Sequence, residues 1–331
     1  MQTNVLLESI ENWVNGLYYL SMNYISLSDY LKNKYGTKVY KLSLSTGCTC
    51  PNRDGTISYG GCIFCSEGGS GDFAATGMDL DEQIAYAREK VDGKISSNIP
   101  AEERKYIAYF QSFTNTYGDE AYLFDLFKRV LDYPFIVGLS IGTRPDCLSD
   151  KMIAFLSKLN KKKEVWVELG LQTIHENTAR LINRGYDLPV FEDAYKRLTD
   201  AGLKVVVHVI LGLPGESDDD IIETVKYLAA LTPTLFGIKL QLLHVLKGTK
   251  LASMYEQEPF RIYELDEYCE IVGRCLMALP KETVIHRLTG DGPKKLLIAP
   301  LGSGNKKLVM NTMRNYISLL PMGEGGSEAD G

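Results

Sequence analysis

The 331-residue chain has no apolar run approaching the roughly 18 residues that span a bilayer, so helices crossing a membrane are not expected. Its first twenty residues carry Glu8, Glu11 and several asparagines where a secretory signal would be basic and then apolar; a cytoplasmic location is the expectation. No internal repeat is visible, and low-complexity sequence is confined to a tail at 323–331, expected to be disordered. A net charge of −6 argues against a protein that coats nucleic acid through bulk electrostatics.

Cysteine is sparse outside one stretch. Of seven, Cys147, Cys269 and Cys275 stand apart and read as small buried apolar residues. The other four fall in CTCPNRDGTISYGGCIFC, from Cys48 to Cys65. In a reducing compartment, such spacing more often binds metal or does redox work than forms disulfides. Four thiolates close a tetrahedral zinc site, whereas three leave one iron of an iron–sulfur cluster open; the stretch alone permits both.

With 45% hydrophobic residues the chain can bury a large core, as one barrel-sized domain or one domain with an appendage. Runs rich in β-branched residues at 39–45, 105–111, 135–142, 164–172, 204–212, 236–244 and 283–288 predict strands. Segments of helical period at 79–91, 120–131, 149–159, 190–201, 218–231 and 263–278 predict helices between them. That alternation implies an α/β fold with a parallel sheet, closed or partly closed into a barrel.

In such a barrel the carboxyl ends of the strands emerge on one face, where enzymes of this architecture keep their sites. The expected strand ends carry Gln111 and Ser112, Gly142 to Asp146, Gln172 and Thr173, Gly212 to Glu216, and His244 to Thr249. The cysteine stretch follows the first predicted strand and emerges there too. A zinc knuckle is indifferent to that placement, and a catalytic cluster requires it. Between Pro293 and Tyr316 lie Lys294, Lys295, Lys306, Lys307 and Arg314 with no acidic residue, which reads equally as solvated surface or as a local basic face.

The runs CPNRDGT, GGCIFC, YFQSFTNTY, GTRPDC, VWVELGLQT, INRGYD, GLPGE and LLHVLKGT resemble the radical S-adenosylmethionine enzymes of the YtqA/YhcC (MnmL-like) family. The likeness covers about residues 25–300, and that family is itself similar to the radical domain of the Elongator catalytic subunit. It implies a partial parallel (β/α) barrel of the radical SAM type at 27–290. An N-terminal extension at 1–26 would precede it, and a C-terminal basic extension at 291–322 would close or flank it. It implies a [4Fe-4S] cluster on Cys50, Cys62 and Cys65, with Cys48 a bystander and S-adenosyl-L-methionine on the open iron.

By the same resemblance Phe64 packs beside the adenine, Gln111 and Ser112 meet the methionine amino group, and Arg184 meets the methionine carboxylate. Gly212 and Gly215 bring backbone close to the adenine, and Arg144 and Glu168 offer charge to the cofactor. His244 and Lys247 fall where substrate contacts belong; His208, among valines, reads equally as a core histidine or a substrate contact.

The implied reaction converts 5-carboxymethylaminomethyl-(2-thio)uridine at wobble position 34 of tRNA to 5-aminomethyl-(2-thio)uridine. The implied partners are the tRNA anticodon stem-loop, an electron donor such as flavodoxin or ferredoxin, and a downstream tRNA methyltransferase. The basic segment would contact tRNA phosphates. Two other classes stay open on the residues themselves: a radical enzyme acting on a small metabolite or protein side chain, and a zinc-binding or electron-carrier protein without catalysis.

Overall fold

All seven predicted runs form strands, because β-branched and aromatic side chains suit a sheet covered on both faces. The computed structural model describes residues 24–69, 77–96, 98–290 and 292–320. Most of the expected N-terminal extension and the whole expected tail at 323–331 lie outside the described residues.

The strands are β1 (Ile25–Ser26), β2 (Val39–Leu44), β3 (Lys105–Phe110), β4 (Ile136–Thr143), β5 (Glu164–Gln172), β6 (Lys204–Leu211), β7 (Gly237–Leu242), β8 (Val245–Leu246), β9 (Val284–Arg287) and β10 (Leu297–Ala299). The helices are α1 (Leu27–Tyr35), α2 (Leu80–Asp92), α3 (Glu120–Asp132), α4 (Asp150–Asn160), α5 (Glu176–Leu181), α6 (Leu188–Asp200), α7 (Asp218–Ala229), α8 (Lys250–Gln257), α9 (Leu265–Ala278) and α10 (Lys306–Ser318).

Capping chemistry sets the helix starts. Asp79 and Ser149, expected inside helices, are N-caps whose side chains accept from the Glu82 and Met152 amides, and Ser217 with Asp220 closes a capping box on α7. Helix α6 begins two residues before the expected Val190, since Pro189 fits the first turn where no N–H is needed. The sequence reading did not anticipate β1, α1, α5, α8, α10 or the short antiparallel pair β8–β10.

Eight strands form one parallel sheet in the order β1-β9-β7-β6-β5-β4-β3-β2. Helix α1 packs against both β9 and β2, bridging the two sides that the sheet leaves apart. Outward-facing Leu42, Phe110, Ile141, Val167, Leu169, Val207 and Leu240 bury under the helices. The inward-facing positions form tiers. At the bottom Val39, Ile107, Trp166 and Val206 pack with Leu31 of α1 and seal the barrel. Above them, in place of the usual branched apolar tier, stand Lys41, Tyr109, Ser140, Glu168, His208 and Lys239, connected by hydrogen bonds, with Arg287 on β9 nearby. Gln111, Gly142, Gly170, Ile210 and Gln241 line the space over that tier.

Candidate active site

The cysteine loop leaves β2 and folds back through two glycines. Gly60 and Gly61 have φ of 80° and 85°, a conformation that costs most side chains energy and costs glycine none. The Cys50 carbonyl accepts the Arg53 amide at 2.8 Å, and Cys65 N–H donates to the Cys62 carbonyl at 3.0 Å. The loop is tied to the segment after α5: Ile63 N–H donates to the Ile182 carbonyl at 3.1 Å, Asn183 Nδ2 to the Gly61 carbonyl at 2.9 Å, and Asn52 Nδ2 to the Asn183 carbonyl.

This anchoring brings Cys50, Cys62 and Cys65 onto one cavity of about 260 Å³, lined also by Phe64, Gln111, Arg144, Glu168, Arg184, His208 and His244. Cys48 opens instead onto a separate recess with Cys147, Tyr117 and Tyr122. The Cys62 thiol is drawn down to about 7, first by a hydrogen bond from Cys65, with Arg144 and Asn52 adding to it. Cys65 is driven up as the donor of that bond and by burial.

Among the described residues three non-glycines have positive φ: Phe113 (56°), Gln172 (70°) and Asn183 (56°). Phe113 and Gln172 line the cavity, and Asn183 holds its loop. Backbone strain of this kind persists where surrounding structure enforces it, and here it collects around one site. The Ser112 Oγ and Gln172 Oε1 atoms are buried without a protein hydrogen-bond partner.

The two expected arginines serve each other before any ligand. Arg144 forms a fork with Asp146 at 2.9 and 2.7 Å and donates to the Arg184 carbonyl at 2.8 Å. Arg184, 1% exposed, donates to the Tyr186 and Thr173 carbonyls at 2.8 and 2.7 Å and pairs with Glu176 at 3.0 Å. Both guanidiniums lie over the Tyr186 ring, at 5.0 Å for Arg144 and 4.7 Å for Arg184 from its centroid.

Gly212 and Gly215 turn the chain sharply at the exit of β6 with φ of 89° and 88°; neither lines the cavity, and Gly212 abuts the Tyr263 ring. Lys247 is exposed beyond β8 and also lies off the cavity lining. His244 is on it, and a Cβ at Gly290 or Gly292 would approach its imidazole to 2.7 or 3.0 Å. Lys294 and Lys295 are exposed directly after Pro293, a lining residue, while Lys306, Lys307 and Arg314 are exposed on α10.

Glu168 is wholly buried and accepts from Lys41 at 2.9 Å, His208 Nε2 at 2.8 Å, and Lys239. Burial pushes its carboxyl up, but Lys239, Lys41 and His208 outweigh that and hold it well below the carboxylate range. Burial, with the Lys239 charge, presses His208 down to about 4, so its imidazole is neutral at pH 7. Burial likewise lowers both lysines despite Glu168.

Sequence reading missed Tyr109, Lys239 and Arg287 as cavity-lining residues, Lys41 as a further partner of Glu168, and Asn52 and Asn183 as loop anchors. The available signal was a lysine inside a doubly covered strand, as in VYKLSL and GIKLQL.

Residues 45–228 match the model of the Radical SAM superfamily, and residues 236–318 match the Radical_SAM C-terminal domain. The chain is 43% identical to the protein YtqA of Bacillus subtilis over 294 residues, 89% of each chain. It is 30% identical to a tRNA uridine(34) acetyltransferase of Methanocaldococcus infernus over 172 residues, 51% of this chain and 31% of that one. Among solved structures, the archaeal Elp3 of Methanocaldococcus infernus aligns with a TM-score of 0.61 at 22% identity, covering 84% of this chain and 63% of that one.

The groups this family uses are a [4Fe-4S] cluster and S-adenosyl-L-methionine, and the residues present fit them. Three thiols share one cavity, a fourth cysteine turns away, and unpartnered Ser112 and Gln172 oxygens remain at the adjoining strand ends. The chain belongs to the radical SAM superfamily, in the branch that includes YtqA, and is an enzyme that cleaves S-adenosylmethionine reductively.

Proposed function

We propose that this enzyme modifies wobble uridine 34 of tRNA, converting 5-carboxymethylaminomethyl-(2-thio)uridine to 5-aminomethyl-(2-thio)uridine. The observation that carries the reading is the single cavity that joins the three cysteines to a charged floor and opens beside a basic segment. The similarity to an enzyme of tRNA uridine 34 supports the substrate class. Cys50, Cys62 and Cys65 would hold the cluster. When bound, the cluster and S-adenosylmethionine supply a 5′-deoxyadenosyl radical that abstracts a hydrogen atom.

The chain's own residues then receive and orient the nucleoside. A base inside an anticodon loop must be unstacked to reach a cavity of this depth. Lys294 and Lys295 at the rim, with Lys306, Lys307 and Arg314 on α10, would contact stem-loop phosphates. His244 lies on the path inward, in room left by Gly290 and Gly292. Lys247, exposed outside the cavity, would meet the loop backbone. Loss of a hydrogen atom from the carboxymethyl methylene beside the secondary amine, then of one electron to the oxidised form of the flavodoxin or ferredoxin and one proton to solvent, would give an imine, and its hydrolysis would release the aminomethyl product and a two-carbon oxo acid. A flavodoxin or ferredoxin would supply electrons, a methyltransferase would consume the product, and the setting would be the cytoplasm. No helix among the described residues is long and apolar enough to cross a membrane.

A mass-spectrometric nucleoside digest of tRNA from cells with and without the gene tests this. The expected result of deletion is accumulated 5-carboxymethylaminomethyl-uridine and lost aminomethyl derivatives. An unchanged profile in cells that make the starting nucleoside would refute the substrate.

A further inference from the structure

At the centre of the floor tier one carboxylate is fully occupied. Glu168 Oε1 accepts from Lys41 at 2.9 Å and from Ser140, and its Oε2 accepts from His208 Nε2 at 2.8 Å and from Lys239. Four donors on two oxygens hold this wholly buried group in one orientation and leave it no free lone pair for a further proton. Because a carboxylate only accepts, the hydrogen it shares with His208 belongs to Nε2. In a neutral imidazole that makes Nδ1 the lone-pair nitrogen.

Nδ1 has no hydrogen-bond partner among the described residues, and the His208 side chain is 18% exposed where its ring borders the cavity shared with the cysteines. The sheet leaves room beside it. His208 is paired on one side with Lys239 and on the other with Gly170, which also borders the cavity and has no side chain to cover the ring. Trp166 and Leu31 close the barrel beneath, so a small molecule such as water reaches Nδ1 from the cavity. A fixed carboxylate, an imidazole of fixed tautomer and an open nitrogen beside the substrate space together make an arrangement that can move protons.

We propose that Glu168 and His208 form a proton-transfer dyad for a hydrolytic half of the reaction, in which His208 Nδ1 takes a proton from the water that attacks the oxidised substrate carbon and passes it to the departing nitrogen. His208 is the catalytic residue. Glu168 is a positioning residue that fixes its tautomer and stabilises the imidazolium formed in transit. This rests on the wobble-uridine reading, in which oxidation of the carboxymethylaminomethyl group yields a protonated imine. The water oxygen bonds to the imine carbon as one proton moves to Nδ1. That proton goes on to the nitrogen, the C–N bond breaks with its electron pair left on nitrogen, and the freed amine takes up the hydroxyl proton as the carbonyl forms. No electron is exchanged in this half, and the products are the aminomethyl nucleoside, as its ammonium, and the two-carbon oxo acid.

The test uses cluster-loaded protein as wild type, His208→Gln and His208→Asn, each first checked for unchanged iron content; the second variant covers a folding failure of the first. The chain has four histidines, so a ¹⁵N-histidine spectrum at neutral pH reads each ring nitrogen, and the signals missing from a variant are those of His208. Wild type is expected to carry the His208 hydrogen on Nε2 and none on Nδ1. Reduced enzyme is then given S-adenosylmethionine and tRNA bearing the starting nucleoside, and the mixture is quenched with borodeuteride, which reduces any imine back to the starting nucleoside with one deuterium. Wild type is expected to form aminomethyl-uridine and 5′-deoxyadenosine in equal amounts. The variants are expected to lower that ratio at least about tenfold and to return deuterated starting nucleoside. A hydrogen on Nδ1 overturns the dyad whatever the substrate, and so do variants that match wild type in both ratio and deuterium. A wobble nucleoside left intact by wild type refutes the wobble-uridine reading, while the expected tautomer in the same protein still supports the dyad.

Discussion

Cys48 and Cys50 are separated by a single residue, yet their side chains open onto different cavities. Cys48→Ala is therefore expected to keep the iron content and visible colour of the purified protein, while Cys50→Ala, Cys62→Ala and Cys65→Ala each lose most of both. A bleached Cys48→Ala protein would mean that the ligand set is wrong. The floor tier gives a second prediction. His208 titrates at about 4 when folded and near 6.5 otherwise, so in that window the unfolded chain binds a proton that the folded chain does not. Its contribution is fully present above pH 6.5, declines as pH falls, and is lost below about 4. Glu168, also depressed, adds a loss at the acid end. Urea midpoints between pH 7 and 4 should fall, less steeply in His208→Gln; an identical slope would contradict the burial argument. Of these residues the cysteines were legible in the sequence because their spacing is itself the signal. Lys41 and Lys239 were not, because a lone lysine in a strand ordinarily marks an exposed position, and its partner Glu168 is more than seventy residues away from the nearer of them.

Helix α1 does more than its length suggests. Its Leu31 packs with Val39, Ile107, Trp166 and Val206 to close the bottom of the barrel, and its Lys34 and Tyr30 meet Glu164 at 2.9 and 2.7 Å. Leu31→Ala should cost about 2–5 kcal/mol, as for other buried leucines, read as a lower urea midpoint with little change in slope. A loss under about 0.5 kcal/mol would mean that α1 is not the seal. Seven strands and six helices were legible because each repeats its apolar period over a long run. Helix α1 has Leu31 as its one buried residue, and α10 buries Val309, Met313 and Ile317 among lysines and asparagines; both depend on tertiary partners that no local window displays. The eight-stranded order was only partly readable, since the two-residue strand β1 pairs with β9 from the other end of the chain.

At the scale of the molecule, the sheet gathers the ends of six strands around one cavity, with thiols above, a charged tier below and lysines at the rim. The partial barrel was legible from alternating strands and helices. The depth of the cavity was not, because it depends on which side chains meet across the barrel. The most direct measurement mixes the reduced, cluster-loaded enzyme and S-adenosylmethionine with tRNA from cells lacking the gene, and quantifies 5′-deoxyadenosine and modified uridines together. The expected result is 5′-deoxyadenosine release that requires this tRNA and is matched by newly formed 5-aminomethyl-uridine. Release that is the same without tRNA, with the wobble nucleoside unchanged, would contradict it.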